Sequence, residues 1–174
     1  ISVSDEARQF HKDVGKLPDR KTCTIYNGID LSHFPASPHA DREAVLREFN
    51  IPASARVLIT VAVLRELKGI QYMIRALPEI LSANPDLYYL VVGSGDFQEA
   101  LIEEASRAGV SQRVVFAGAR KDVPALMSAS DIFVLPTLTE ALPTVLAEAM
   151  ASYLPILACR VGGVPEMVED GVNG

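Results

Sequence analysis

Val57–Leu64 reads VLITVAVL, an almost unbroken apolar run with no polar alternation. A strand with one wet face alternates, whereas a strand covered on both faces does not, so this run predicts a buried strand of a parallel sheet. Four more runs repeat the theme: Leu87–Val92, Val114–Ala117, Ile132–Leu135 and Pro155–Ala158. Between the first two, Ile70, Met73, Ile74, Leu77 and Leu81 recur at helical spacing and predict a helix with one apolar face. Phe97, Leu101 and Ala105 do the same for a second helix, and a shorter one is expected over Val123–Ser128. Strands that alternate with helices define an α/β chain with a doubly wound, Rossmann-like parallel sheet flanked by helices. In such a sheet ligands bind beyond the carboxyl ends of the strands.

The next most informative stretch is Thr139–Met150, TEALPTVLAEAM, directly after the Ile132–Leu135 run. Glu140 falls in a loop. Pro143 suits the first position of a helix, because its missing N–H would have no helical partner there. A helix start leaves backbone N–H groups free and carries a partial positive charge, so it favours an anion. Glu148 lies four residues beyond Thr144 and shares its face. Two carboxylates thus flank an anion site, an arrangement suited to a nucleotide diphosphate sugar. Glu140 would face sugar hydroxyls, the N–H groups the phosphates, and Glu148 the ribose diol.

The E-x7-E spacing is followed by AEAMASYLPILACRVGGVPE. In this order these residues closely resemble the donor-binding half of retaining glycosyltransferases of family four, which have the GT-B fold. The family phrase runs approximately E-G-F-G-x-x-x-x-E-A-M-A, then G-G-x-P-E. The resemblance implies a domain of 31–174 that binds the nucleotide sugar. It makes 1–30, with ISVSDEA and YNGID, the tail of an N-terminal acceptor-binding domain and the crossover from it. The chain is accordingly expected to be a piece of a longer hexosyltransferase that holds the acceptor in the other domain. By itself the piece is expected to be inactive.

Site residues follow position by position. Lys68 resembles the lysine of G-R-L-x-x-x-K-G that grips the donor diphosphate. The arginine of that phrase falls on Val63 and its glycine on Ala62, and Arg65, two positions later, is the candidate replacement. Glu140 and Lys68 are the catalytic candidates, with Glu140 positioning the sugar. The donor-binding candidates are Arg65, Arg120, Leu142, Thr144, Val145 and Glu148. Ala141-Leu142-Pro143 stands where the family has G-F-G, so Leu142, Thr144 and Val145 must supply the backbone donors. Gly162-Gly163 is read as permitting close backbone approach to donor or neighbouring loop, and Glu166 as a cap on its own short helix. Gly93-Ser-Gly95-Asp96 is read as a tight turn. No metal or other cofactor is implied, the nucleotide sugar being a co-substrate. A non-catalytic nucleotide-binding or assembly module, or a sugar-nucleotide epimerase, is the alternative on the same fold.

Charge and cysteine content bound the rest. With 16 Lys and Arg against 22 Asp and Glu, the net charge is −6 and no basic stripe exists, which argues against nucleic acid as a partner. An anionic donor must then be held by a few placed groups. Cys23 and Cys159 do not make a disulfide framework, and a cytoplasmic setting is expected. His11, His33 and His39 have no metal-ligand spacing and are read as surface residues. The apolar runs are too short to span a bilayer, so membrane contact is expected only through the other domain.

Overall fold

The computed structural model describes residues 1–34, 36–39 and 41–174. Five strands form one parallel sheet: β1 (Arg56–Val61), β2 (Leu87–Val92), β3 (Val114–Gly118), β4 (Ile132–Leu135) and β5 (Ile156–Ala158). Their order is β3-β2-β1-β4-β5. The chain therefore runs outward from β1 to β3, then returns to lay β4 on the free side of β1. That reversal opens a crevice at the carboxyl ends of β1 and β4.

The helices are α1 (Asp5–Asp13), α2 (Arg42–Glu48), α3 (Ile70–Ala83), α4 (Gln98–Arg107), α5 (Val123–Ser128) and α6 (Thr144–Ala151). Leu46 of α2, Leu126 of α5 and Leu146 of α6 share one core with Val57, Ile59, Phe133 and Leu135. Ile70, Ile74 and Leu101 of α3 and α4 share the other with Leu58, Tyr89, Val91 and Val134. Neighbouring residues of one strand thus enter opposite cores, which is why the strands do not alternate. Each fully buried Leu, Ile or Phe here contributes about 1.5–3 kcal/mol. One polar group crosses the sheet interior. The Thr60 hydroxyl donates to the Val134 carbonyl at 2.6 Å, so the fully buried Tyr89 hydroxyl, 2.7 Å away, donates to Thr60. At the other end of the strands, Arg42 pairs with Asp131 at 2.9 Å, and Asp131 accepts the Val57 N–H at 2.7 Å.

Three sequence expectations are corrected locally. Thr22–Tyr26 alternates and is β-branched, which predicts a short strand, but it forms a single parallel bridge, Thr24 with Ser2, joined by Ser2 N–H to Cys23 O and Ile25 N–H to Ser2 O, both 2.9 Å. Asp41 is of a residue type that caps helix starts, but it precedes α2 with φ 54° and its side chain makes no cap hydrogen bond, since capping needs extended backbone. Pro143 is the residue before α6, with φ −75° and ψ 103°, since its ring fixes φ and leaves ψ free to stay extended. Among the described residues no helix is long and apolar enough to cross a membrane.

Candidate functional site

Backbone contacts between loops build the rim at the carboxyl ends of the strands. In the β1–α3 loop, Leu67 O accepts the Leu138 N–H at 2.9 Å and the Thr137 hydroxyl at 3.2 Å, both from the β4–α6 loop. Gly69 (φ 69°) lets the loops meet: a Cβ there would lie 1.9 Å from Pro136 O. On the far side, a Cβ on Gly162 would lie 1.7 Å from Glu140 O, and Gly163 N–H bonds Ala141 O at 3.1 Å. Gly162-Gly163 therefore serves the approach of a neighbouring loop. Gly93 and Gly95 play the same part, because Cβ atoms on them would strike the Ala62 and Leu64 carbonyls.

This stapling brings Lys68 and Glu140 together. The Lys68 ammonium donates to Glu140 Oε1 at 2.5 Å, with the two side chains 27% and 12% exposed. A carboxylate so covered needs a cation or hydrogen-bond donors, and Lys68 supplies both. Glu140 also lines a cavity of about 390 Å³ with Leu138, Gly162 and the α1 residues Glu6, Phe10 and His11.

Glu148 stands in a second cavity, about 340 Å³, between the ends of β1 and β2 and the loop after β3. Val61, Val63, Ser94, Arg120 and Val145 share it. No hydrogen bond reaches the Glu148 carboxylate among the described residues, and burial pushes its pKa up. Beyond Glu148 a further depression of about 360 Å³ is lined by Asp30, His33 and Phe34, which sequence reasoning missed because they precede the sheet by a long stretch of chain. The N–H groups of Leu142, Thr144 and Val145 donate to nothing among the described residues, so the mouth of α6 keeps its free donors.

Not every candidate converges. Lys68 does not line the Glu148 cavity, and Arg65 is exposed and lines neither cavity. Arg120 lines the Glu148 cavity, but its guanidinium donates to Asp122 at 2.8 and 2.7 Å and to Glu48, and lies 5.5 Å over the Phe49 ring. The bonds to Asp122, then Glu48, raise its pKa further above the ordinary arginine value. Its charge is spent on these acids. Glu166 does not cap its own turn; it accepts the N–H groups of Asp5 and Glu6 at 2.8 and 2.9 Å and the Tyr26 hydroxyl at 2.9 Å. A further cavity, about 620 Å³, runs along β5 and residues 164–174 and holds none of the candidate groups.

A doubly wound sheet with its crevice at the β1/β4 reversal, and a helix mouth with two carboxylates beside it, is one half of a GT-B glycosyltransferase fold. The chain belongs to the glycosyl transferases group 1 family, whose profile matches residues 55–174. It is 35% identical over 156 residues to the GDP-mannose-dependent alpha-(1-6)-phosphatidylinositol monomannoside mannosyltransferase of Mycolicibacterium smegmatis, covering 84% of this chain and 40% of that one. With the N-acetyl-alpha-D-glucosaminyl L-malate synthase of Bacillus anthracis the identity is 30%, covering 90% and 40%. Among solved structures, Anabaena HepE in complex with UDP-glucose superposes with a TM-score of 0.90 at 30% identity, over 99% of this chain and 48% of that one. The chain spans less than half the length of these relatives.

Proposed function

We propose that this chain is the donor-binding half of a retaining, metal-independent hexosyltransferase that takes a nucleotide diphosphate sugar. The observation that carries the reading is Glu148, a half-buried carboxylate with no hydrogen-bond partner among the described residues, in a cavity beside the free N–H groups of α6. A carboxylate accepts from both hydroxyls of a ribose diol, which would offset its desolvation. The N–H groups of Leu142, Thr144 and Val145 then face the diphosphate. Lys68 neutralises the leaving group, a task a point cation performs without a metal. Freed from Lys68, Glu140 accepts from sugar hydroxyls. The anomeric carbon breaks its bond to the diphosphate oxygen and forms one to the acceptor oxygen on the same face. The acceptor proton passes to the departing diphosphate. Anabaena HepE, with UDP and UDP-glucose bound, supports a nucleotide-sugar donor. The acceptor would sit in the other half, so the chain alone binds donor weakly and transfers nothing. Two exposed free cysteines favour a reducing, cytoplasmic setting.

Titration of the 15N-labelled chain with UDP, GDP and ADP tests this. Saturable shifts around Val63, Ser94 and Val145 are expected with one nucleotide and are lost in Glu148→Ala. Shifts that survive in the variant would remove Glu148 from the ribose role. A non-catalytic module is the second reading, favoured by Val63 at the clamp position and by the pairing of Lys68 with Glu140. It predicts that no nucleotide sugar is consumed when the acceptor half is supplied.

A further inference from the structure

The G-G-V-P-E turn takes no part in the nucleotide cavity, yet it touches two things at once. Its glycines hold the backbone of Glu140 and Ala141. Its glutamate holds the start of α1, some 160 residues away in sequence, with one carboxylate oxygen on each of two successive N–H groups. Gly163 also makes room for Ser4, since a Cβ there would lie 2.9 Å from Ser4 Cβ. Ser4 is fully buried and caps α1 from within, its hydroxyl accepting the Ala7 N–H at 3.1 Å. Tyr26 closes the group by donating to Glu166 at 2.9 Å, with Asp5 Oδ2 at 3.2 Å from the same hydroxyl.

The geometry points to Glu166 as a positioning residue that seats α1 against the Glu140 loop, making α1 a wall of the sugar end of the site. No residue of α1 itself is fully buried, so side-chain packing does not fix where the helix lies. A carboxylate on two orphan N–H groups and on the positive end of the helix does. The side chains placed by that seat are Glu6, Phe10 and His11, which face Leu138, Glu140 and Gly162 across the 390 Å³ cavity. Hydrogen bonding to Glu166 pushes the Tyr26 hydroxyl up to about 12, so it remains a donor across the physiological range. The family resemblance assigns residues 1–30 to the end of the other half. The same contact then fixes one half on the other beside the reacting sugar. That last consequence rests on the donor reading above; the seating itself does not.

Hydrogen exchange and amide spectra of this chain test the seating, with Glu166→Ala, Glu166→Gln and Tyr26→Phe. In Glu166→Ala, amides of residues 5–13 are expected to exchange roughly five- to tenfold faster, the effect of losing a helix cap, while β1, β2 and β4 keep their protection. The amide resonances of Glu140 and Gly162 move in the same variant. Glu166→Gln, which keeps an acceptor oxygen, restores both in part, and Tyr26→Phe gives a smaller change of the same kind. Exchange of α1 within twofold of wild type, or equal loss of protection in α1 and the strands, overturns the proposal. So do unmoved Glu140 and Gly162 resonances. Nucleotide-induced shifts should persist in Glu166→Ala. A wild-type chain that binds no nucleotide would count against the donor reading and leave the exchange result standing.

Discussion

Lys68 and Glu140 have each given up water for the other. Removing the cation alone strands a carboxylate that is 12% exposed, whereas removing both charges leaves nothing to compensate. Lys68→Met is therefore expected to cost about 1–3 kcal/mol in urea denaturation, and Lys68→Met with Glu140→Gln to recover most of that loss. Glu148 behaves oppositely, because it has no partner to lose among the described residues. Burial raises its pKa above the ordinary 4.5, so the folded chain binds this proton more tightly than the unfolded one. Its contribution is fully present below 4.5 and is lost as pH rises through the folded-state value. Glu148→Gln should consequently be more stable than wild type at pH 7, with the advantage vanishing toward pH 4. Thermal melts across that range give the sign directly.

At the scale of elements, glycines distinguish a backbone requirement from a steric one. Gly69 and Gly109 have nearly the same φ, 69° and 70°, but only Gly69 has a carbonyl where a Cβ would go. Gly109→Ala should cost about 1–2 kcal/mol, the left-handed penalty alone. Gly69→Ala should cost about 3 kcal/mol or more, because the β1–α3 and β4–α6 loops must also separate. Equal losses in urea unfolding would mean that the loops give way freely. The elements themselves were largely legible. Leu87–Val92 and Ile132–Leu135 match β2 and β4 residue for residue, because nearly every position of the two strands is buried and therefore apolar. Val57–Leu64 overran β1, which ends at Val61, since apolar residues continue into the loop that carries Val63 and Leu64. The hydrogen bonds that Glu166 accepts from α1 and the pinning of Arg120 by Glu48 join residues far apart in the chain, and no local pattern encodes such a meeting. Asp30, His33 and Phe34 beside Glu148 were hidden for the same reason.

Seen whole, the molecule is a sheet with one core on each face and an N-terminal segment fastened to its rim. That segment is held by buried Ser4 against Gly163 and by the Glu166 cap, so it should unfold with the sheet. The chain has no Trp and five Tyr, with Tyr26 in the segment and Tyr89 in the core. Urea transitions followed by tyrosine fluorescence and by far-ultraviolet circular dichroism are expected to coincide. A separate early phase in fluorescence would show the segment melting by itself. The glycine-to-carbonyl approaches around the rim carry a further implication for anyone who would re-engineer this end of the sheet. Gly69, Gly93, Gly95 and Gly162 each press one loop onto the next, so the loops form a continuous row rather than a set of exchangeable parts. A transplanted loop would inherit a neighbour shaped for a different one, and the rim would have to be rebuilt by exchanging the whole row together.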